Sequence, residues 1–401
     1  MHRVHIEGQP GRSRILIRAL PGCALFVLLS LFLAACSLGI LGNGSWQASG
    51  LQKQQLRVLV VNGKDLRNLY VGNMQGRVFA STDAGQNWTE QSGGLPLPDP
   101  IHALAFDSTG QKLYAATDKG LFTKVNGSTQ WAAVTATGLP SASFTALAFE
   151  PDAAKVVYAG TEDQGVYASN DGGSSWAAAS KGLPQGMRVN DLSLDPVQHQ
   201  LWVVTSGGAY RSADHGASWQ PFNTGLPATI IVNTIVPAST IGGMTGSLYM
   251  GTNHGLFLSH DSGAHWAASP EALSGTSIHT ILLDFRATNG TSLYIATDVG
   301  VFQTTDNGQS WLAVASNLPK NMPVYALAFG ADNDAQLYAV GAGVYQFPGT
   351  GGGAGIDPSR ILPILLVIAF FFLLDRLSQR GRHARREMLK PERIQENPDR
   401  G

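Results

Sequence analysis

Ser81–Trp88 reads STDAGQNW, and the phrase returns as SNDGGSSW (Ser169–Trp176), SADHGASW (Ser212–Trp219), SHDSGAHW (Ser259–Trp266) and TTDNGQSW (Thr304–Trp311). Each copy has a hydroxyl residue, an Asp two on, a Gly four on and a Trp seven on. These residue types at this spacing describe a turn that caps itself. Hydroxyl and carboxylate oxygens accept from nearby backbone N–H groups, and Gly takes a positive φ that other residues resist. The Trp opens the next strand and packs its indole back.

Working outward from this turn, a four-part phrase repeats seven times. Each unit starts with an apolar strand: Arg57–Val61, Ile101–Phe106, Phe144–Phe149, Val189–Leu194, Ile231–Val236, Ile278–Leu283 and Val324–Phe329. A second strand follows with an aromatic near its start, in LYVGN, LYAAT, VYAGT, LWVVT, LYMGT, LYIAT and LYAVG. A tight turn rich in Gly, Asp and Asn leads to a third strand such as GVYAS or GLFLS, then to the acid turn and a Trp-led fourth. Alternating β-branched and aromatic residues bounded by turn chemistry predict antiparallel strands. Four strands per repeat, seven times over, predict an all-β, seven-bladed β-propeller.

The tryptophans set the closure. Trp88, Trp131, Trp176, Trp219, Trp266 and Trp311 recur once per repeat, but the seventh phrase stops after GVYQF. Trp46, in SWQASGL, stands 42 residues before Trp88 and continues the series backwards. The segment 45–48 is therefore expected to supply the outer strand of the last blade, closing the ring and removing an exposed edge. Blade two is the degenerate copy: Thr123–Trp131 reads TKVNGSTQW, an extra residue with Asn126 in place of the acid.

The repeated turns resemble the Asp-box, or BNR repeat, of sialidases, sortilin-type receptors, xyloglucan-cleaving glycosidases and Ycf48-like photosystem assembly factors. The resemblance covers residues 45–346 and is confined to scaffold positions. It implies that Asp83, Asp171, Asp214, Asp261 and Asp306 are structural, with carboxylates satisfying buried N–H groups on the face away from the ligand surface. On the opposite face, candidate ligand-binding residues are Asp118, Glu162, Asp163, His254 and Asp298, with Asn73 and Asn253 beside them. A cation or polyol would suit such a set, and so would ordinary hairpin turns.

A glycoside hydrolase acting on surface polysaccharide is the alternative to a binding module. Most such enzymes hold two carboxyls about 5–9.5 Å apart, which loop acids can supply. Sialidases also clamp their substrate carboxylate with three arginines, and no Arg-Ile-Pro motif stands here. No GxSxG, Walker A, HExxH or CxxC pattern occurs, so no catalytic residue, cofactor or metal is assigned.

The ends set the expected location. Arg3, Arg12, Arg14 and Arg18 precede an apolar run from Ala19 to Ala35, the pattern of an export signal. Leu33-Ala34-Ala35-Cys36 resembles a bacterial lipobox, which marks Cys36 for lipidation; a retained signal anchor is the other reading. The domains expected are an export segment (1–36), the propeller (44–349), a Gly-rich linker (350–360), a transmembrane helix (361–377) and a basic cytoplasmic tail (378–401). The body between Gly44 and Gly349 carries 14 Lys/Arg against 21 Asp/Glu, and the tail beyond Leu374 carries eight against five. Positive-inside bias then places the propeller outside and the tail in the cytoplasm. The acidic body excludes nucleic acid as a partner; a membrane and a protein or glycan ligand are expected instead.

Overall fold

The structure, a computed structural model, describes residues 45–150, 155–195, 200–238, 247–269, 273–284, 292–314, 317–330 and 336–347. Seven four-stranded antiparallel sheets lie within them. Six use consecutive strands, the first being β2 (Leu56–Val61), β3 (Leu69–Asn73), β4 (Val78–Ser81) and β5 (Thr89–Glu90). The seventh joins β26 (Ala326–Phe329), β27 (Leu337–Val340) and β28 (Val344–Phe347) to β1 (Gln47–Gly50). The first strands of blades two to six are β6 (Ile101–Phe106), β10 (Phe144–Phe149), β14 (Val189–Leu194), β18 (Val232–Pro237) and β22 (Ile278–Asp284). With β2 and β26 they touch in a closed ring around the axis. The described residues form an all-β, seven-bladed propeller.

Its core is divided into seven apolar layers, one in each seam between blades. Between blades one and two, for example, Tyr70, Val78 and Ala80 meet Leu113, Ala115 and Phe122. Each blade is a thin sheet whose faces are covered only by its neighbours, so burial depends on completing the ring.

Hydrogen bonds from the repeat tryptophans link one outer strand to the next. Trp131 Nε1 donates to Gln91 O at 2.8 Å, Trp219 to Ala179 O at 2.7 Å and Trp266 to Phe222 O at 2.9 Å. Each acceptor lies three residues after the preceding Trp. The same relay crosses the closure: Trp46 Nε1 donates to Val314 O at 2.7 Å, and Trp88 Nε1 to Ser49 O at 2.9 Å. Blade three departs from it, with Trp176 turning to its own Gly173 O. The second-strand tyrosines add struts, since Tyr114, Tyr158, Tyr249 and Tyr338 donate to turn carbonyls of the following blade. Blade four has Trp202 in that place, and its buried Nε1 has no partner among the described residues.

The acid turns divide their labour differently from the expectation. In blade four, the buried Ser212 Oγ accepts the Gly216 N–H at 2.8 Å and donates to Asp214 Oδ1 at 2.7 Å. Asp214 in turn accepts the exposed Ser218 N–H and Oγ–H. The hydroxyl thus satisfies the buried donor, while the carboxylate caps the outside. Gly also shares the backbone strain: the residue before it, Ala84, His215, Ser262 or Asn307, has φ of 54–62° as well. A short turn needs two successive left-handed residues, a demand that composition did not announce.

Blade two forms with four strands, and its register corrects the sequence alignment. Phe122 pairs with Ala133 as Phe79 pairs with Glu90, so Lys124 occupies the position of Ser81 and the turn contains no extra residue. The Lys124 ammonium donates to Ser128 O at 2.6 Å and to Gln91 Oε1, and lies 4.5 Å from the Tyr70 ring centroid. Burial pushes its pKa down to about 8.

No helix among the described residues is long and apolar enough to cross a membrane. The export segment, Cys36, linker, apolar run and basic tail expected at 1–36 and 350–401 lie outside those residues.

Candidate functional site: the polar mouth of the channel

The site begins with a backbone irregularity. In β2, β6, β10, β14, β18 and β22 the register slips between the first and third residues, a β-bulge at position two. Position two holds Arg57, His102, Thr145, Asn190, Asn233 and His279, and Tyr325 is the counterpart beside β26. The residue before each is buried and apolar. One end of the channel is therefore rimmed by seven polar side chains, six of them on strands.

Two halves of this rim behave differently. Through blades three to six, side chains tie each first strand to its neighbour, because adjacent blades share no ladder. Thr145 Oγ1 donates to Val189 O at 2.6 Å, Asn190 Nδ2 to Val232 O at 2.7 Å and Asn233 Nδ2 to Ile278 O at 2.9 Å. These groups are spent on structure. From blade six through seven and one to two, the side chains meet one another instead. The Arg57 guanidinium lies over Tyr325, 3.6 Å from the ring centroid, and the His279 and Tyr325 ring centroids are 4.9 Å apart. His279 Nε2 hydrogen-bonds Asp298 Oδ1 at 2.7 Å. His102 Nε2 makes the same bond to Asp118 Oδ1 at 2.8 Å, with Ser143 Oγ donating to that oxygen.

Two of the acids predicted from the sequence, Asp118 and Asp298, thus sit on the rim in matching His–Asp pairs. Partial burial would raise the Asp118 pKa, but hydrogen bonds from His102 and Ser143 outweigh it and hold it below the usual range. Glu162 is paired with Arg188 across blades three and four. Asp163 is exposed and lines an open groove of about 640 Å³ with Gln164, Leu183, Pro184 and Gln185. His254 contributes a backbone N–H to Thr252 Oγ1 within its turn. Asn73 is buried and spends its oxygen on the N–H groups of Gln75 and Arg77, and Asn253 accepts from the Ile231 N–H.

Arg57, His102, His279 and Tyr325 were not singled out by sequence reasoning. Their signal was present as a polar residue at position two of every first strand, visible only once the seven repeats are aligned strand by strand. Among the described residues, no group of three or more His, Cys, Asp or Glu side chains is placed to hold a metal ion.

One further carboxyl lies just inside the mouth. Asp191 Oδ2 accepts the Thr234 hydroxyl at 2.9 Å, joining blades four and five, and burial pushes its pKa up to about 6. Its folded pKa lies above the unfolded value of about 4, so the folded state holds the extra proton between those limits. Stability from this group is therefore full below about pH 4 and declines as pH rises to about 6. Asp191→Asn should flatten that decline in urea midpoints compared at pH 4 and pH 7. Parallel shifts in the two proteins would refute the assignment.

The fold and its rim define a class: a seven-bladed propeller with a polar axial mouth. No protein-family model and no curated protein matches the chain. Solved structures similar to it include an ancestral GH74 enzyme, at TM-score 0.62 and 16% identity, covering 76% of this chain and 46% of that one. Another is YCF48 bound to D1 peptide, at TM-score 0.60 and 16% identity, covering 78% of this chain and 97% of that one. A third is the extracellular domain of a two-component system from B. thetaiotaomicron, at TM-score 0.61 and 15% identity, covering 76% and 39%. This chain spans less than half the length of the first and third. At such identities the likeness is one of fold.

Proposed function

We propose that this chain is a membrane-tethered, extracytoplasmic Asp-box propeller that binds a protein or glycan partner at its polar mouth. The observation carrying this reading is the arc Arg57–Tyr325–His279–Asp298, which presents charge and hydrogen-bonding groups that are not consumed in tying first strands together. The groups are held by stacking around Tyr325 and by the His279–Asp298 hydrogen bond, so a partner meets a pre-organised surface. YCF48 has been solved with a peptide bound, which makes peptide recognition a precedent within this fold. A hydrolase reading calls for a proton-donating carboxylic acid beside the scissile bond. Asp118 is instead held below the usual carboxylate range by hydrogen bonds from His102 and Ser143, the opposite of a proton donor.

The tether rests on sequence. An export-type N-terminal segment ending at Cys36 and an apolar run near 361–377 flank the body, and positive charge collects outside both. The propeller then faces the extracytoplasmic side and the basic tail the cytoplasm.

Arg57→Glu reverses the charge in the middle of the arc and should reduce partner capture by at least about tenfold, the scale of a lost charged contact. Capture would be measured by cross-linking the full-length protein in its own membranes, alongside binding to a panel of surface polysaccharides. Undiminished capture by Arg57→Glu would sink the mouth as the site. Release of reducing sugar from any of the polysaccharides would turn the reading to the hydrolase.

A further inference from the structure

Blade seven has no acid turn, and the register shows what stands in its place. Leu337 pairs with Phe347 as Leu69 pairs with Ser81, and Gln47 pairs with Gln346 as Thr89 pairs with Ala80. Phe347 and Trp46 therefore occupy the positions that Ser81 and Trp88 occupy in blade one, where the acid turn joins them. In blade seven the chain leaves the ring at one of these points and joins it at the other. The Trp46 and Phe347 rings lie 5.2 Å apart between centroids. The seam of the propeller thus falls where a seventh acid turn would stand, with Trp46 and Phe347, near the two limits of the described body, on the acid-turn face and opposite the polar mouth.

The flanking apolar segments must start from this single spot. Ser45 lies nine residues after Cys36, a tether of at most about 30 Å. Ile361 lies 14 residues after Phe347, at most about 50 Å away. Two short tethers from one edge of one face bias that face toward the bilayer. Reaching the membrane from the mouth side would require both to climb the blade, about 20 Å of strand, before spanning any gap.

We propose that the propeller is held with its acid-turn face toward the membrane at blade seven, so that the polar mouth is presented away from the bilayer to a partner approaching from the aqueous side. This rests on the tethered reading of the preceding section.

The propeller body has no cysteine, so single thiols can be placed on each face of the full-length protein. Gln86→Cys lies in the exposed acid turn of blade one, and Val299→Cys lies in the exposed turn beside Asp298 on the mouth face. Each is labelled with an impermeant donor dye in membranes carrying a lipid-bound acceptor, with the chain lacking an introduced thiol as background. With the faces about 20 Å apart in height, transfer from Gln86→Cys should exceed that from Val299→Cys by about twofold. Equal transfer, or more from Val299→Cys, overturns the orientation. Absence of the labelled protein from the membrane fraction overturns the tethering itself, a separate result from a misjudged face.

Discussion

Replacing Trp46 with Ala should cost the propeller about 3–5 kcal/mol, the range for truncating a buried Trp. Its indole is 2% exposed in the layer between blades six and seven, packed with Phe347, Val314 and Met322. The substitution also removes the donor to Val314 O, leaving a carbonyl to be re-satisfied at the seam. Position matters as much as area. Blade seven is the one blade assembled from both ends of the body, so loosening β1 exposes the edge of β28 and the layers on each side of it. Removing residues 45–49 should do more, because Ser49 O also accepts from Trp88 in blade one. Urea denaturation checks both variants, with limited proteolysis near blade seven as a second readout. A midpoint indistinguishable from the parent after the deletion would refute the closing role of this strand.

The second large effect concerns the acid turns. Ser212→Ala should destabilise by about 1–3 kcal/mol, the cost of leaving a buried N–H without a partner. The orphan is Gly216 N–H, which has the Ser212 hydroxyl as its acceptor. Asp214→Ala should cost distinctly less, since the groups it caps are exposed and can turn to water. The two differ in pH dependence as well. Hydrogen bonds from Ser218 and Ser212 hold the Asp214 pKa at about 2, below its unfolded value of about 4. Its contribution is present above about pH 4 and is lost as pH falls through about 2. Comparing melts of the parent and both variants at pH 7 and pH 2.5 separates the roles. If Asp214→Ala proved the more damaging at pH 7, the hydroxyl-centred account of the turn would be wrong.

The contrast between those two residues illustrates what sequence alone could reveal. The five copies, four S-x-D-x-G-x-x-W and one T-x-D-x-G-x-x-W, marked the turns, but a spacing pattern treats the hydroxyl residue and the Asp alike. Which of them faces the interior depends on how the turn folds over the end of the blade. The degenerate copy shows the same limit: a string alignment inserted a residue into blade two, whereas strand pairing puts Lys124 directly on the serine position. Asp118 and Asp298 were legible as mouth residues because they follow a recognisable T-D-x-G turn. Their partners His102 and His279 were not, since a His inside an apolar strand carries no mark of its role.

Blade number, strand order and the closing role of Trp46 were determined by the sequence by itself, because they depend on a local phrase that repeats and on a tryptophan that keeps its register. The tertiary structure alone decided the mouth. Arg57, Tyr325 and His279 come from blades one, seven and six, and only ring closure brings the first of these beside the others. The bulge that presents them is a shift in pairing between two strands, with no residue of its own to announce it. Local periodicity is written along the chain, whereas a site assembled across seams exists only once seven separate layers have closed.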